Sequence, residues 1–184
     1  MRIISGEFGG RTLRIPRDAA FRPTTDRVRE SLFSILDAQL DWSGLNVCDL
    51  FAGSGSLGFE ALSRGAASVV FVESNRRHAE DLRGNMSMLE LEPRSEIVVS
   101  SAEAWLRRVR KRFDLILADP PYDFDGYGAL LEAMVAVLET DSGVAVLEHR
   151  SDVKLPLPSS LTAYDTRTYG TTSLLFLRHP QGDL

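Results

Sequence analysis

Residues 46–58 read NVCDLFAGSGSLG, an apolar segment of strand length that runs directly into a glycine-rich turn. Gly53, Gly55 and Gly58 have the spacing G-x-G-x-x-G, and a helical pattern follows near Ser56. A strand, a glycine turn and a helix in this order are typical of nucleotide-binding β-α units. Glycine allows the tight turn and the close approach of a ligand, and the helix start offers free N–H groups. The glycine spacing by itself is a weak signal, so its context carries the interpretation.

Strand patterns and helix patterns alternate along the rest of the chain. Strands are predicted at 46–51, 68–73, 96–100, 113–118 and 143–148, and helices at about 56–64, 75–90, 102–111 and 126–139. Mostly apolar strands separated by helices indicate a parallel sheet that is covered on both faces. Residues 161–178 contain two alternating stretches around Gly170 without a helix between them, which predicts an antiparallel hairpin on the sheet edge. The predicted fold is therefore α/β, a doubly wound Rossmann-like sheet with an antiparallel C-terminal hairpin.

The first 40 residues are predicted to form a small extension, followed by the sheet domain at 41–184. Residues 2–15 have the pattern of a β-hairpin around Gly9 and Gly10. Thr24 or Thr25 can cap a helix that has one apolar face. The apolar face is formed by Val28, Leu32, Ile35, Leu36 and Leu40.

Charge is distributed unevenly along the chain. The net charge of the 184 residues is −5, yet residues 1–34 hold seven arginines and four acids. This segment thus carries +3 and the remainder −8, a pattern of either a basic arm on an acidic body or an ordinary solvated surface. Arginine without lysine suits contacts with phosphates and bases. Arg27 and Arg29 lie off the apolar helix stripe and are expected to face a partner.

Several classes of protein do not fit the sequence. No apolar run approaches the roughly 18 residues that span a bilayer, and the start has no signal-peptide core. The single cysteine, Cys48, cannot form an internal disulfide and is expected to be a buried thiol. No Cys/His cluster has zinc spacing. We therefore expect a cytoplasmic protein without a membrane segment or a metal site.

Two acidic residues refine the predicted ligand. Glu73 follows Gly53 by 20 residues, at the end of the next strand, where a carboxylate can hold both ribose hydroxyls. Asp49 lies inside the first strand and would attract the ammonium or sulfonium of S-adenosylmethionine, whereas it would repel a pyrophosphate. The alternative for Asp49 is a buried carboxylate that is satisfied by amides of the turn.

The fourth predicted strand ends in FDLILADPPY, residues 113–122. In a doubly wound sheet this strand is a neighbour of the first, so Asp119 is expected to face the same cleft as the glycine turn. Pro120 and Pro121 donate no N–H, and we expect their carbonyls to be held outward as acceptors. A carboxylate beside rigid carbonyls suits an exocyclic amine, and Tyr122 offers a face for stacking a flipped base.

Three segments, VCDLFAGSGSLGFEALSRGA, FVESN and LILADPPY, resemble class I S-adenosylmethionine-dependent methyltransferases that act on amines. The segments RIISGEFGGRTLRIP and RPTTDRVRESLFSIL resemble the N-terminal region of the bacterial RsmD-like enzymes. The resemblance extends over nearly the whole chain, including RTYGTTSLLF. It implies methyl transfer from S-adenosylmethionine to the N2 amine of a guanine in 16S rRNA, within a small ribosomal subunit or an assembly intermediate.

The resemblance also implies roles for three groups of residues. The target amine would be held by Asp119, Pro120, Pro121 and Tyr122. The cofactor would be bound by Asp49, Phe51, Ala52, Gly53, Ser54, Gly55, Gly58, Glu73, Ser74, Ser101, Ala102 and Asp119. RNA would be contacted by Arg2, Arg11, Arg14, Arg22, Thr25, Arg27 and Arg29. Many relatives place an acid after the third strand to bind adenine, whereas Ser101 is uncharged here and Glu103 is displaced, so this contact stays open.

Three other functions share parts of the pattern. A DNA adenine-N6 or cytosine-N4 methyltransferase would share DPPY but usually needs a larger recognition region. An NAD-dependent oxidoreductase fits Asp49 poorly, and a non-catalytic ribosome-assembly protein would keep the site idle. Only about 40 residues are left to read a target, so the RNA must supply much of the specificity through its shape. The basic run RRVRKR at 107–112 is interpreted mainly as a solvated helix end, with a distal RNA contact as the lesser option.

Overall fold

The computed structural model describes residues 1–16 and 26–180. Their strands form a seven-stranded sheet in the order β3-β2-β1-β4-β5-β7-β6. The strands are β1 (Asn46–Leu50), β2 (Ser68–Glu73), β3 (Ser95–Val99), β4 (Leu115–Ala118), β5 (Val144–Arg150), β6 (Thr162–Tyr169) and β7 (Thr172–Arg178). The helices are α1 (Asp26–Asp37), α2 (Ser56–Arg64), α3 (Arg76–Met88), α4 (Ala102–Leu106) and α5 (Tyr127–Val135), with a 3₁₀ turn at Glu92–Arg94. The first five strands are parallel and β7 is antiparallel to both β5 and β6, so the predicted fold is confirmed.

Both faces of the sheet are covered by helices, as the apolar strands predicted. On one face, side chains such as Val47 and Leu117 belong to a core shared with α1, α2 and α3. On the other face, side chains such as Leu50 and Ile116 pack with α4 and α5. Because successive residues of a strand point to opposite faces, one nearly continuous apolar strand supplies both cores.

The order of the strands reverses between β1 and β4. These two strands are parallel neighbours, with Leu50 opposite Ala118 in the register. The chain leaves β1 toward β2 on one side, whereas β4 lies on the other side. In open α/β sheets the ligand crevice lies beyond the carboxyl ends of the strands at such a reversal. The turn after β1 and the residues after β4 therefore border the same crevice.

The predicted N-terminal hairpin is a short and irregular one. Arg2 and Thr12 form a single antiparallel bridge, and the Leu13 N–H donates to the Met1 carbonyl at 2.9 Å. The segment is fastened to α2, because the Glu60 carboxylate accepts the N–H of Ile4 at 2.6 Å. Ile3 and Leu13 are buried in the core that α1, α2 and α3 share. The division at residue 40 stays a prediction.

The expectation that Arg29 faces a partner is wrong. Its side chain is fully buried, with an exposed fraction of 0%. Its Nη2 donates to the Arg2 carbonyl and to Asp26, while Nε and Nη1 have no partner among the described residues. Burial lowers the pKa of the Arg29 guanidinium, and the charge of Asp26 opposes that shift. An apolar stripe does not reveal a long polar side chain that is buried beside it. The Arg29 side chain reaches the Arg2 carbonyl of the N-terminal segment.

The helix predicted at 102–111 is also shorter than expected. It ends at Leu106, and residues 107–112 are not helical. Single hydrogen bonds of the helical type continue to Val109, whose N–H donates to the Trp105 carbonyl at 3.0 Å. The chain then turns toward the end of α5, where the Phe113 N–H donates to the Val137 carbonyl at 2.8 Å and the Phe113 ring is buried. None of the described helices is long and apolar enough to cross a membrane.

Candidate active site

The glycine turn after β1 has an unusual backbone. Phe51 has a φ of 61°, and Gly53 and Gly55 have φ values of 53° and 78°. The left-handed region is open to glycine but costs a residue such as phenylalanine of the order of 1 kcal/mol or more. The Ala52 N–H donates to the Val72 carbonyl at 3.1 Å, which ties the turn to β2. The turn is therefore held in place by its neighbours.

Asp49 lies in β1 beneath this turn and is 1% exposed. Its Oδ2 accepts the Gly58 N–H at 2.9 Å, so the alternative of an amide-satisfied carboxylate is realised for one of its oxygens. Burial raises the pKa of Asp49 well above its ordinary value. The Gly58 hydrogen bond opposes this, and the charges of Asp119 and Glu73 add to it. A cation near these three carboxylates would relieve their repulsion.

Glu73 connects the second strand to the glycine turn. Its Oε2 accepts the Gly53 N–H at 2.8 Å, and its Oε1 accepts the Asn75 N–H at 2.7 Å. The side chain is buried, and the ring of His78 lies nearby, with Nδ1 3.8 Å from Oε1. Carboxylate oxygens carry more than one lone pair each, so Glu73 has acceptor capacity left for ligand hydroxyls.

Asp119 follows β4 directly and is half-buried. Its backbone N is 3.4 Å from the Leu50 carbonyl oxygen, so it stands beside the residue that precedes the glycine turn. Of the two proline carbonyls expected to be acceptors for a ligand, that of Pro121 is already engaged, and the role of Pro120 stays a prediction. The Pro121 carbonyl accepts the Phe124 N–H at 2.9 Å and closes a turn, whereas the Pro120 carbonyl has no donor among the described residues.

Tyr122 is 53% exposed and lies next to a charged group that the sequence did not indicate. The guanidinium carbon of Arg150 is 4.8 Å from the Tyr122 ring centroid. Asp152 holds the guanidinium through its two carboxylate oxygens, and this bond raises the pKa of Arg150. One face of the Tyr122 ring is thus covered by a positioned cation.

Three aromatic rings pack together between the glycine turn and the segment after β4. Phe51 and Phe124 pack edge to face with centroids 5.2 Å apart, and Phe124 packs on Tyr127 at 5.1 Å. The strained residue of the glycine turn therefore touches the segment that follows DPPY. This contact couples the predicted cofactor turn to the predicted amine site.

The loop after β3 lies beside Glu73, because the Ser100 N–H donates to the Glu73 carbonyl at 3.0 Å. Ser101 is exposed and caps α4, with its hydroxyl accepting the Ala104 N–H at 3.3 Å. Ala102 is buried and Ser74 is exposed. The arrangement puts Ser101 close to the end of β2, and the identity of an adenine contact stays a prediction.

Sequence reasoning missed Asn85 of α3, which is fully buried. Its Oδ1 accepts the Arg14 N–H at 2.7 Å. Its Nδ2 donates to the carbonyls of Arg14 and Ser54 at 2.9 and 3.0 Å. Asn85 therefore joins the N-terminal segment to the glycine turn. A polar residue on the buried side of a helix was the available signal, although the sequence could not name its partners.

The residues expected to meet RNA are divided by the structure. Arg2, Arg11, Arg14 and Arg27 are exposed, and Arg29 is buried as described above. Arg22 and Thr25 lie outside the described residues. The exposed four are available to a partner, and their contacts with RNA stay a prediction.

The donor set fits S-adenosylmethionine better than a dinucleotide. Asp49, Glu73 and Asp119 belong to three adjacent strands or the residue directly after one, toward their carboxyl ends. Such a group attracts the positive charges of an ammonium and a sulfonium and repels a pyrophosphate. Within residues 1–16 and 26–180, no group of three or more His, Cys, Asp or Glu side chains is arranged to hold a metal ion.

Comparison with known proteins identifies the family of this chain. The family described as conserved hypothetical protein 95 matches residues 1–178. The ribosomal RNA small subunit methyltransferase D of Escherichia coli is 33% identical over 100% of this chain and 92% of its own length. The protein of the same name from Haemophilus influenzae is 34% identical, over 94% of this chain and 91% of its own.

Among solved structures, a hypothetical protein of a Thermus species superimposes with a TM-score of 0.81 at 31% identity. The superposition covers 97% of this chain and 99% of that one. Full-length matches of this kind extend through both the N-terminal segment and the sheet. The chain therefore belongs to the RsmD-like family, the family described as conserved hypothetical protein 95.

Proposed function

We propose that this protein transfers a methyl group from S-adenosylmethionine to the N2 amine of a guanine in small-subunit rRNA. One observation carries the proposal: Asp119 stands beside Leu50, the residue before the glycine turn, and its charge acts on the buried Asp49. The relatives named ribosomal RNA small subunit methyltransferase D support rRNA as the substrate. The guanine N2 position is supported by the likeness of the DPPY and RPTTDRVRE segments to RsmD-like enzymes.

The cofactor would be held by the buried acids and the glycine turn. Glu73 has free lone pairs for ribose hydroxyls, while its hydrogen bond to Gly53 keeps the turn in shape. Asp49 supplies negative charge beneath the turn, where burial makes that charge costly without a cation. When bound, S-adenosylmethionine supplies an electrophilic methyl group and leaves as S-adenosylhomocysteine.

The target amine needs help because its lone pair is delocalised into the base. Asp119 and the Pro120 carbonyl can each accept one amine hydrogen, which favours a pyramidal nitrogen with an available lone pair. Methylation makes that nitrogen acidic, and its proton then passes to the Asp119 carboxylate or to water. No strong base is required before the attack, which suits a half-buried aspartate.

A guanine in folded RNA must leave its stack to reach this crevice. Tyr122 is 53% exposed and would stack on the base, and stacking on an aromatic ring contributes about 1–3 kcal/mol per base. The exposed arginines of the N-terminal segment, Arg2, Arg11 and Arg14, with Arg27 of α1, would contact the surrounding phosphates. We propose a small ribosomal subunit or an assembly intermediate as the substrate.

The test uses methyl-labelled S-adenosylmethionine and the purified protein. Small subunits from cells that lack the gene, naked small-subunit rRNA and duplex DNA are offered in parallel, then digested to nucleosides. Label in N2-methylguanosine from the subunits is the expected result, and the naked RNA arm identifies the form of the substrate. Label in DNA adenine or cytosine would instead assign the protein to the amine methyltransferases of DNA.

The idle-site alternative is tested in cells. Asp119→Ala is introduced at the chromosomal locus and compared with a full deletion. A cellular role that persists undiminished in Asp119→Ala would show that the role is not catalytic and would favour an assembly factor.

A further inference from the structure

The run RRVRKR forms an exposed loop at residues 107–112, which we call the basic loop. We propose that the basic loop is a second RNA contact, which binds backbone phosphates. It lies at the amino-terminal ends of the strands, whereas the active site lies at their carboxyl ends. The inference rests on the proposed function and adds a binding surface to it. It assigns a role to cations that the active-site crevice does not use.

The charge of the basic loop is not balanced by neighbours. It holds five cations, and since the whole chain carries −5, all other residues together carry −10. Elsewhere Arg94, Arg150 and Arg167 pair with acids, whereas Arg2, Arg11, Arg14 and Arg27 form no ion pair with a described residue. Among the described residues, no carboxylate forms an ion pair with any cation of the basic loop. What sets the basic loop apart is its charge density, five cations within residues 107–112.

The end of α4 explains only the first of these charges, that of Arg107. Favourable interaction with a helix dipole is confined to the last turn, and α4 ends at Leu106. Arg107 is the C-cap residue, whereas Arg108 and Arg110 lie beyond it. The cations are therefore carried by a non-helical loop.

The basic loop is anchored at its C-terminal end, through Lys111 and Arg112. The Arg112 Nη1 donates to the Leu138 carbonyl at 2.7 Å. The Lys111 Nζ is 3.4 Å from the Ser68 hydroxyl and 5.5 Å from the centroid of the buried Phe113 ring. Arg107, Arg108 and Arg110 remain exposed, with no side-chain partner among the described residues. The backbone of this anchored loop loses little conformational entropy on binding, whereas each arginine side chain that is immobilised carries an entropic cost.

The basic loop is far from the reacting groups. Lys111 touches Ser68 at the start of β2, and Asp114 holds the Asn46 N–H at the start of β1. Asp119 lies at the other end of β4. Arg112 and Asp119 are seven residues apart in the sequence. In an extended chain this corresponds to a distance of about 23 Å, at roughly 3.3 Å per residue. Phosphates bound by the loop would therefore belong to a different part of the RNA from the target nucleotide.

The chemistry of the loop favours RNA as its partner. Four of the five cations are arginines, whose planar guanidinium binds phosphate oxygens in pairs. An acidic protein is repelled by RNA at long range, and a local patch of this kind reverses the repulsion where contact is needed. Contacts at two distant points also let a small chain recognise the shape of a folded RNA.

The test compares Arg107→Gln/Arg108→Gln/Arg110→Gln with the wild type and with a charge-preserving control, Arg107→Lys/Arg108→Lys/Arg110→Lys. Affinity for small subunits lacking the modification is measured between about 50 and 200 mM salt. We expect the glutamine variant to bind roughly tenfold more weakly and the slope of log affinity against log salt to fall by about 2. The lysine variant should retain most of the affinity. Cofactor affinity and kcat at saturating subunits should stay at wild-type values.

Hydroxyl-radical footprinting on the subunit rRNA locates the contact. The glutamine variant should lose protection at riboses remote from the methylated nucleotide while keeping protection around it. An unchanged affinity and salt slope would overturn the inference, as would a weaker affinity with an unchanged RNA footprint, which would indicate an acidic protein partner. A wild-type protein that methylates no RNA would instead refute the proposed function, so the two failures are distinguishable.

Discussion

Glu73, the last residue of β2, accepts the backbone N–H of Gly53 at 2.8 Å, so the acid and the glycine turn form one hydrogen-bonded unit. The same carboxylate also accepts the Asn75 N–H, which begins the cap of α3. A residue expected to bind ribose thus also holds the shape of the site. Mutations here should affect stability and binding together, and the variants below separate the two effects.

Glu73→Ala should lower the free energy of unfolding by about 2 kcal/mol, because two buried or half-buried N–H groups lose a charged acceptor. Glu73→Gln keeps one carbonyl oxygen and should lose less stability, yet its affinity for S-adenosylmethionine should fall about tenfold. Chemical denaturation and calorimetric titration measure the two quantities. An equal loss of stability in both variants would contradict the acceptor account.

Asp119→Asn should reduce kcat for methyl transfer roughly a hundredfold, the usual cost of removing one positioned hydrogen-bonding group from an active site. Asparagine keeps one carbonyl oxygen as an acceptor but lacks the negative charge that stabilises the nitrogen as it becomes cationic during methylation. Cofactor affinity should change by much less than kcat. Single-turnover kinetics with equilibrium dialysis test this, and a variant with full kcat would remove Asp119 from the mechanism.

Tyr122→Ala should weaken productive RNA binding by about 1–3 kcal/mol through loss of stacking, while Tyr122→Phe should stay close to wild type. Arg150→Ala should have a smaller effect in the same direction, since Arg150 holds one face of the ring. The comparison is made on kcat/KM for the subunit substrate. A defect in Tyr122→Phe as large as in Tyr122→Ala would assign the role to the hydroxyl group instead.

Asp49 should make the stability of the cofactor-free protein depend on pH. Its pKa is raised in the folded state, so its contribution is fully present below the ordinary pKa and is lost as pH rises through the raised value. Asp49→Asn should therefore unfold at a higher temperature than the wild type at neutral pH. A shift of one pKa unit corresponds to about 1.4 kcal/mol.

Thermal unfolding of both proteins from about pH 4 to pH 8 checks the prediction for Asp49. The advantage of the variant should grow as pH rises, and it should shrink when S-adenosylmethionine is added, because a bound cation favours the carboxylate. Parallel curves for the two proteins would show that Asp49 does not titrate differently on folding.

Gly58→Ala should destabilise the fold by about 1–3 kcal/mol, because an added Cβ would lie 2.3 Å from Phe71 Cε1 and 2.9 Å from Val69 Cγ1. Gly84→Ala is the matched control in α3. Its Cβ would meet only the flexible end of the Arg14 side chain, and alanine favours a helix interior over glycine by about 1 kcal/mol. Denaturant midpoints should therefore move in opposite directions.

Parallel strands were predictable because their side chains are buried on both faces and read as apolar runs. The bounds of β2, at 68–73, and of α2, at 56–64, match their prediction, since glycine and turn residues mark their ends. The prediction for α4 was too long by one turn or more, since beyond Leu106 the chain turns toward a contact of Phe113 with Val137, a distant segment. Local pattern has no access to such contacts.

Sequence alone determined the alternation of strands and helices, the glycine turn and the positions of Asp49, Glu73 and Asp119 within or directly after their strands, because these follow from period and spacing. Tertiary structure alone decided that Arg29 is buried, that Asn85 joins Arg14 to Ser54, and that Arg150 covers Tyr122. Each of these is a contact between segments far apart in the chain. Its formation depends on which surfaces the packed helices and strands bring together, and the local sequence of either partner does not specify that.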